Sequence, residues 1–178
     1  MFTWKDLARP KPCPYGSVLY KRVINSSQWV AQEKVDGWRV LVTTSRGGTV
    51  SITTRHGEGL TCTTSFARTV ALAVPAMSTL DCELLRPWKK LVALDVLQIA
   101  GRDMSRQPLS ERMMRLQSLL DGASSGMLCL VRGSATEKEE LYKTIVDSGG
   151  EGVVLKRLLD PYPRAGVVWL KVKPGMGA

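Results

Sequence analysis

From Trp29 onward, apolar and polar residues alternate with a period of two, the spacing that turns one face of a β-strand into a core. WVAQEK (29–34), WRVLVTT (38–44) and TVSITT (49–54) carry the pattern and are rich in β-branched residues. Asp36-Gly37 and SRGG (45–48) separate them, and both are turn signals of hairpins. TTSFARTVALA (63–73) predicts a short helix stopped near Pro75. STLDCELL (78–85) and KKLVALDVLQI (89–99) predict a strand pair joined at Arg86-Pro87-Trp88. LSERMMRLQSLLDG (109–122) predicts a helix capped by Ser110, with Met113, Leu116 and Leu120 on one face and Gly122 past its end. MLCLV (127–131) is a short strand, and TEKEELYKTIVDSGG (136–150) is a second helix with acids in its first turn. EGVVLKR and GVVWLKVK are two final strands. Before all of this, residues 1–28 predict an extended segment packed on the domain, Pro-rich at ARPKPCPYG (8–16). The mixture predicts an α+β class with more antiparallel sheet than helix.

At 178 residues the chain is long enough to bury a core, and 44% hydrophobic with 23% charged is ordinary for a globular protein. Charge changes the picture more: 25 basic residues against 16 acidic ones leave +9, which favours a polyanionic partner, nucleic acid first and nucleotide phosphates second. Cys13, Cys62, Cys82 and Cys129 share no redox or zinc spacing, and a single histidine, His56, leaves no room for a His-based triad. No apolar run is long enough to cross a bilayer. A chain without membrane contact is expected. The Gly-rich G-x-x-x-x-G-K-[ST] loop is missing, so phosphate chemistry here needs another scaffold.

Five charged stretches interrupt the strand pattern: QEKVDGWRV (32–40), TTRHGEGLT (53–61), TLDCELL (79–85), EGVVLK (151–156) and WLKVK (169–173). Asp81 and Glu83 lie two apart and share a face, as do Lys171 and Lys173, giving an acidic lip and a basic lip. KVDGWR alone reads equally as a plain hairpin. Taken with the others it suits nucleotidyl transfer, in which the Lys34 amine attacks the α-phosphate of a nucleoside triphosphate and expels pyrophosphate. Lys34 must shed its proton first, which cations at Arg39, Arg55, Lys171 and Lys173 would favour while also neutralising phosphate oxygens. Glu83 and Glu151 offer the hard oxygen ligands that Mg²⁺ prefers.

In that order, the stretches resemble the motifs of the covalent nucleotidyltransferases, and within them the ATP-dependent DNA ligases. The resemblance implies that Lys34 in KVDGWR becomes linked to AMP, and that Glu33, Arg39 and Arg55 (in TRHG) contact the nucleotide. Glu83 in LDCELL and Glu151 in EGVVLK are implied as metal ligands, Glu83 also toward the nucleotide, with Mg²⁺ or Mn²⁺ as the ion. Lys171 and Lys173 match the α-phosphate pair of W-x-K-x-K, and Lys156 is a further phosphate candidate. Asp36 and Gly37 shape the turn that presents Lys34, and Asp81 orients its neighbours. LDVLQIAGRDMSRQPLSERMMRL (94–116) is similar to the DNA-ligase segment F-D-x-L-x-x-x-G-x-x-L with L-x-x-R-x-x-x-L, and favours DNA ligase over RNA ligase or messenger-RNA capping enzyme.

The implied fold is the nucleotidyltransferase (ATP-grasp-like) domain over residues 29–174, antiparallel sheets and flanking helices around an ATP cleft. The implied partners are ATP and nicked double-stranded DNA, and the resemblance to small ligases implies a monomer in the cytoplasm of a bacterial or phage-infected cell. Three departures stand out. Leu94 replaces the aromatic that stacks on adenine, Cys82 replaces a glycine, and the chain ends five residues after Lys173. The OB-fold domain of the family is therefore expected to be absent from it. Arg102, Arg106, Arg112 and Arg115 fit either a DNA-tracking row or a solvated helix face. A non-catalytic DNA-binding remnant shares the charge and motifs but would never take up AMP.

Overall fold

The computed structural model describes residues 8–85, 90–121, 126–162 and 167–175. The expected connection at Arg86-Pro87-Trp88 and the helix stop at Gly122 fall outside them. In chain order the elements are β1 (Lys11–Pro12), α1 (Val18–Ile24), β2 (Trp29–Glu33), β3 (Trp38–Thr44), β4 (Val50–Thr54), β5 (Gly59–Leu60), α2 (Thr64–Ala73) and β6 (Thr79–Leu85). They continue with β7 (Lys90–Ile99), β8 (Arg102–Asp103), α3 (Leu109–Leu120), β9 (Leu128–Leu130), β10 (Gly133–Ser134), α4 (Lys138–Asp147), β11 (Val153–Arg157) and β12 (Leu170–Val172).

Two compact units result, one built on Gly37–Leu130 and the other on Ala8–Asp36 with the chain from Val131 onward. The first unit holds a sheet ordered β5-β4-β3-β6-β7-β8, with β9 parallel to β7. Val40, Val42, Leu80, Cys82, Leu91, Ala93 and Val96 alternate onto one face, where Phe66 and Val70 of α2 and Leu116 and Leu120 of α3 close the core. The second unit holds a sheet ordered β1-β12-β11-β2-β10, antiparallel except for the β1–β12 pair. Ala31, Val153, Leu155, Leu170 and Val172 pack there against Tyr20 and Val23 of α1 and Tyr142 and Ile145 of α4.

Three local expectations are corrected. Residues 18–24, expected within an extended segment, are helical: the Ser17 hydroxyl accepts the Tyr20 N–H, and Tyr20, Val23 and Ile24 are buried at helical spacing. Ser110 does not cap α3, which starts one residue earlier with Pro108 at the cap position. Most consequentially, β2 and β3 do not form a hairpin around Asp36-Gly37. β2 pairs with β11 and β10, whereas β3 pairs with β4 and β6, so residues 34–37 carry the chain from one sheet to the other. Gly37 is required there by close approach, since a Cβ would stand 2.6 Å from the Leu84 carbonyl oxygen and 3.0 Å from Glu83 Cγ.

Candidate active site

In the second unit, register decides which side chains meet. Val153 lies opposite Glu33 and Val172, and Val154 lies opposite Gln32 and Lys171. Because directly opposed residues share a face, the core residues take one side. Gln32, Val154, Lys156 and Lys171 take the other, and Lys34 and Lys173 follow them by alternation. The Lys34 N–H donates to the Gly152 carbonyl at 2.8 Å, which anchors the residue just past the end of β2. Its side chain then reaches Glu151: Lys34 Nζ donates to one carboxylate oxygen and Lys173 Nζ to the other, the latter at 3.0 Å. Burial pushes the Glu151 carboxyl up, but the hydrogen bonds and charges of Lys34 and Lys173 outweigh it and leave the group below its ordinary range.

Lys34, Glu151 and Lys173 are therefore one ionic cluster, each about a quarter to a third exposed. The expectation of cations around Lys34 is met only in part, because its direct ionic partner is an acid. Lys171 shares the face. Lys156 also lies on that face but is buried, its ammonium 3.8 Å from the centroid of the Trp169 ring. Glu33 shares the opposite side with Val153, its carboxylate 4.0 Å from Arg132, so the structure does not bring it to the Lys34 cluster. Asp36 is exposed on the connection.

In the first unit, Arg39 lies opposite Glu83 on β6, and Asp81 lies opposite Asp95 on β7. Arg39, Asp81 and Glu83 share the face turned away from the core, by alternation along β3 and β6. Arg39 Nε donates to Asp81 Oδ1 at 2.6 Å, and its Nη2 donates to the other oxygen. Asp81, expected to orient its neighbours, is fully buried and orients Arg39. Between Cys82–Ala93 and Asp81–Asp95 the register slips by one, leaving Leu94 as the extra residue of a β-bulge. Leu94 is half-buried at this bulge, and Asp95 beside it is buried. Arg55 is exposed at the β4–β5 turn, where its Nε donates to His56 Nε2 at 3.0 Å.

One pair was not singled out from sequence. Arg112 and Asp95 are both fully buried, with Arg112 Nε and Nη2 donating to the two carboxylate oxygens at 2.8 and 2.9 Å. This corrects both expectations for Arg112, which neither tracks DNA nor lies on a solvated face. The signal was available: Arg112 falls on the apolar stripe of α3, in phase with Leu109, Leu116 and Leu120.

Residues 88–173 match the family model of the ATP-dependent DNA ligase domain. The probable DNA ligase of Nocardioides sp. (strain ATCC BAA-499 / JS614) is 33% identical over 166 residues, covering 79% of this chain and 32% of that protein. The probable DNA ligase of Streptomyces coelicolor A3(2) is 33% identical over 178 residues, covering 80% of this chain and 34% of that protein. A mycobacterial DNA ligase D complexed with ATP and MES superposes with a TM-score of 0.68 at 23% identity, covering 94% of this chain and 59% of that one. The chain belongs to the ATP-dependent DNA ligase family.

This ligase-family chain spans about a third of the length of those two curated relatives. Its fold is that of a ligase nucleotidyltransferase domain, as expected. Among the described residues, no three acids, thiols or imidazoles gather into a protein-only metal cage. Glu83 stands in the first unit and Glu151 in the second. A lone carboxylate completed by substrate oxygens and water suits Mg²⁺ or Mn²⁺, which keep much of their shell from phosphates and solvent. Among the described residues, no helix is long and apolar enough to cross a membrane.

Proposed function

We propose that this chain is the catalytic domain of an ATP-dependent DNA ligase, with Lys34 as its nucleophile. The observation that carries the reading is the cluster in which one carboxylate, Glu151, is shared by Lys34 and Lys173 on the face that also holds Lys171. Lys34 Nζ forms the P–N bond to the α-phosphorus of ATP while the bond to the pyrophosphate oxygen breaks. The ion pair keeps the amine in place, and attack follows once the ammonium has passed a proton to water and the freed lone pair points at phosphorus. Lys171 and Lys173 offset the charge that builds on the phosphate oxygens. Arg39, held by Asp81, and Arg55 contact the nucleotide, with Glu83 opposite Arg39 and Leu94 as the candidate for packing on the purine. Glu151 and Glu83 are the residues that would hold Mg²⁺ or Mn²⁺, which when bound supplies positive charge against the triphosphate.

AMP then passes from Lys34 to the 5′-phosphate at a nick in duplex DNA, and the adjacent 3′-hydroxyl displaces it. The +9 charge suits that partner. The same reading puts the protein in the cytoplasm as a monomer. Intact-protein mass after mixing with Mg²⁺ and ATP, or GTP, tests it, with Lys34→Ala in parallel. One added AMP with ATP alone, missing in the variant, is expected. A gain from GTP, or one that persists without Lys34, overturns the assignment. Supplying pre-adenylated nicked DNA, and comparing DNA with RNA nicks, then separates a sealing enzyme from a binding remnant and from an RNA ligase.

A further inference from the structure

Asp81 and Asp95 are directly opposed on β6 and β7, and both are buried. Cross-strand Cβ atoms stand about 5 Å apart, a distance at which two unshielded carboxylates repel. Each therefore needs its own cation, and the structure supplies one on each side. Arg39 takes Asp81 with two hydrogen bonds, and Arg112 takes Asp95 with two more. Arg112 is itself tethered, its Nη1 donating to the Gln107 carbonyl at 2.6 Å. Asp95 Oδ1 also accepts the Val96 backbone N–H at 2.8 Å, so the same carboxylate braces the chain just after the bulged Leu94.

A buried ion pair is weak evidence of a stabilising role, because apolar residues of like volume often serve as well or better. Geometry explains this one. With Arg112 on Asp95, Arg39 is committed to Asp81 and Leu94 is aimed by a fixed bulge. Without it, a buried, uncompensated carboxylate would stand on the strand next to Asp81, the residue that holds Arg39, and the bulge would lose its brace.

We propose that Arg112, a helix residue outside the nucleotide-contacting set, is a positioning residue for the nucleotide site and acts through Asp95 on both Arg39 and Leu94. This rests on the reading of that face as the ATP site. Arg39 and Leu94 are ground-state contacts as well as transition-state contacts, so misplacing them raises KM for ATP more than it lowers the maximal rate.

The test measures KM and maximal rate of AMP loading onto Lys34 in the full chain. Arg112→Met is expected to raise KM about tenfold, the scale of coupling between directly interacting buried groups. Adding Asp95→Asn, which removes the uncompensated charge and keeps an oxygen for the Val96 N–H, is expected to restore most of that loss. Leu116→Ala, one turn along the same helix and equally buried, lowers the melting temperature but leaves KM unchanged. Arg112→Lys keeps a cation on the core side and gives a smaller rise in KM, which tests the proposal even where the methionine variant does not fold. Equal KM in the wild type and the Arg112 variants, or a rise in KM with Leu116→Ala at matched melting temperature, overturns it. A wild-type chain that takes no AMP overturns instead the ATP reading on which it stands.

Discussion

Replacing Gly152 with alanine should damage both the fold and the chemistry of the second unit. Gly152 has φ +105°, and a Cβ there would stand 2.0 Å from the Val172 carbonyl oxygen. Ordinary contact begins near 3.4 Å, so β12 would have to retreat by more than 1 Å or the β11–β12 pairing would open. The backbone strain costs about 1–3 kcal/mol and the overpacking about as much again, giving a loss of about 4 kcal/mol. Gly149→Ala is the internal control: its φ is +82°, yet nothing lies within 4 Å of its Cβ position. It should lose only the left-handed penalty, about 1 kcal/mol. Urea denaturation with a shared m-value reads the difference between the two. Catalysis should suffer as well, because Val172 lies between Lys171 and Lys173, and the Gly152 carbonyl accepts the Lys34 N–H. A displacement near 1 Å there should slow single-turnover AMP loading by about a hundredfold. If Gly152→Ala lost no more stability than Gly149→Ala, the packing account of the Glu151-Gly152 corner would be wrong.

Three further outcomes follow from the described contacts. The Glu151 carboxyl titrates below its ordinary value near 4.5 because Lys34 and Lys173 overcome the cost of its burial, so its contribution is present above 4.5 and lost as pH falls through its folded-state value. The urea-midpoint gap between wild type and Glu151→Gln should therefore be constant from pH 7 to 5 and shrink below; a gap that widens in acid contradicts the assignment. Leu94→Phe should tighten ATP by about 0.5–1.5 kcal/mol through stacking, roughly two- to twelvefold in KM, and an unchanged or weaker KM would remove Leu94 from the purine. The Tyr20 hydroxyl is buried with no hydrogen-bond partner among the described residues, so Tyr20→Phe should be neutral or stabilising by up to about 1 kcal/mol. Its melting temperature decides, and a clear fall would reveal a partner.

Most elements were legible in the chain because period-two and period-3.6 patterns report directly which side chains must leave water. α2, α4 and the strands β2, β3, β4, β6, β7 and β11 lie close to where those patterns put them. The lysines of WLKVK and the acids of TLDCELL fall on common faces because alternation needs no tertiary information. α1 was hidden by a Pro-rich approach and by its seven residues, too few for a clear period. Arg112 was read as a surface charge because arginine is rarely buried, although its place on the apolar stripe was visible.

Alternation along the chain settled which residues share a face, and residue chemistry settled that lysines and carboxylates would be used together. Pairing was beyond both. Asp36-Gly37 has the composition of a hairpin turn, yet long-range register commits β2 and β3 to different sheets, and Gly37 is there for its contact with Leu84. Glu151 joins Lys34 across 117 residues of chain, and Arg112 joins Asp95 from a separate helix. Local preference cannot set such contacts, because each depends on two distant segments being held in register by the cores beneath them.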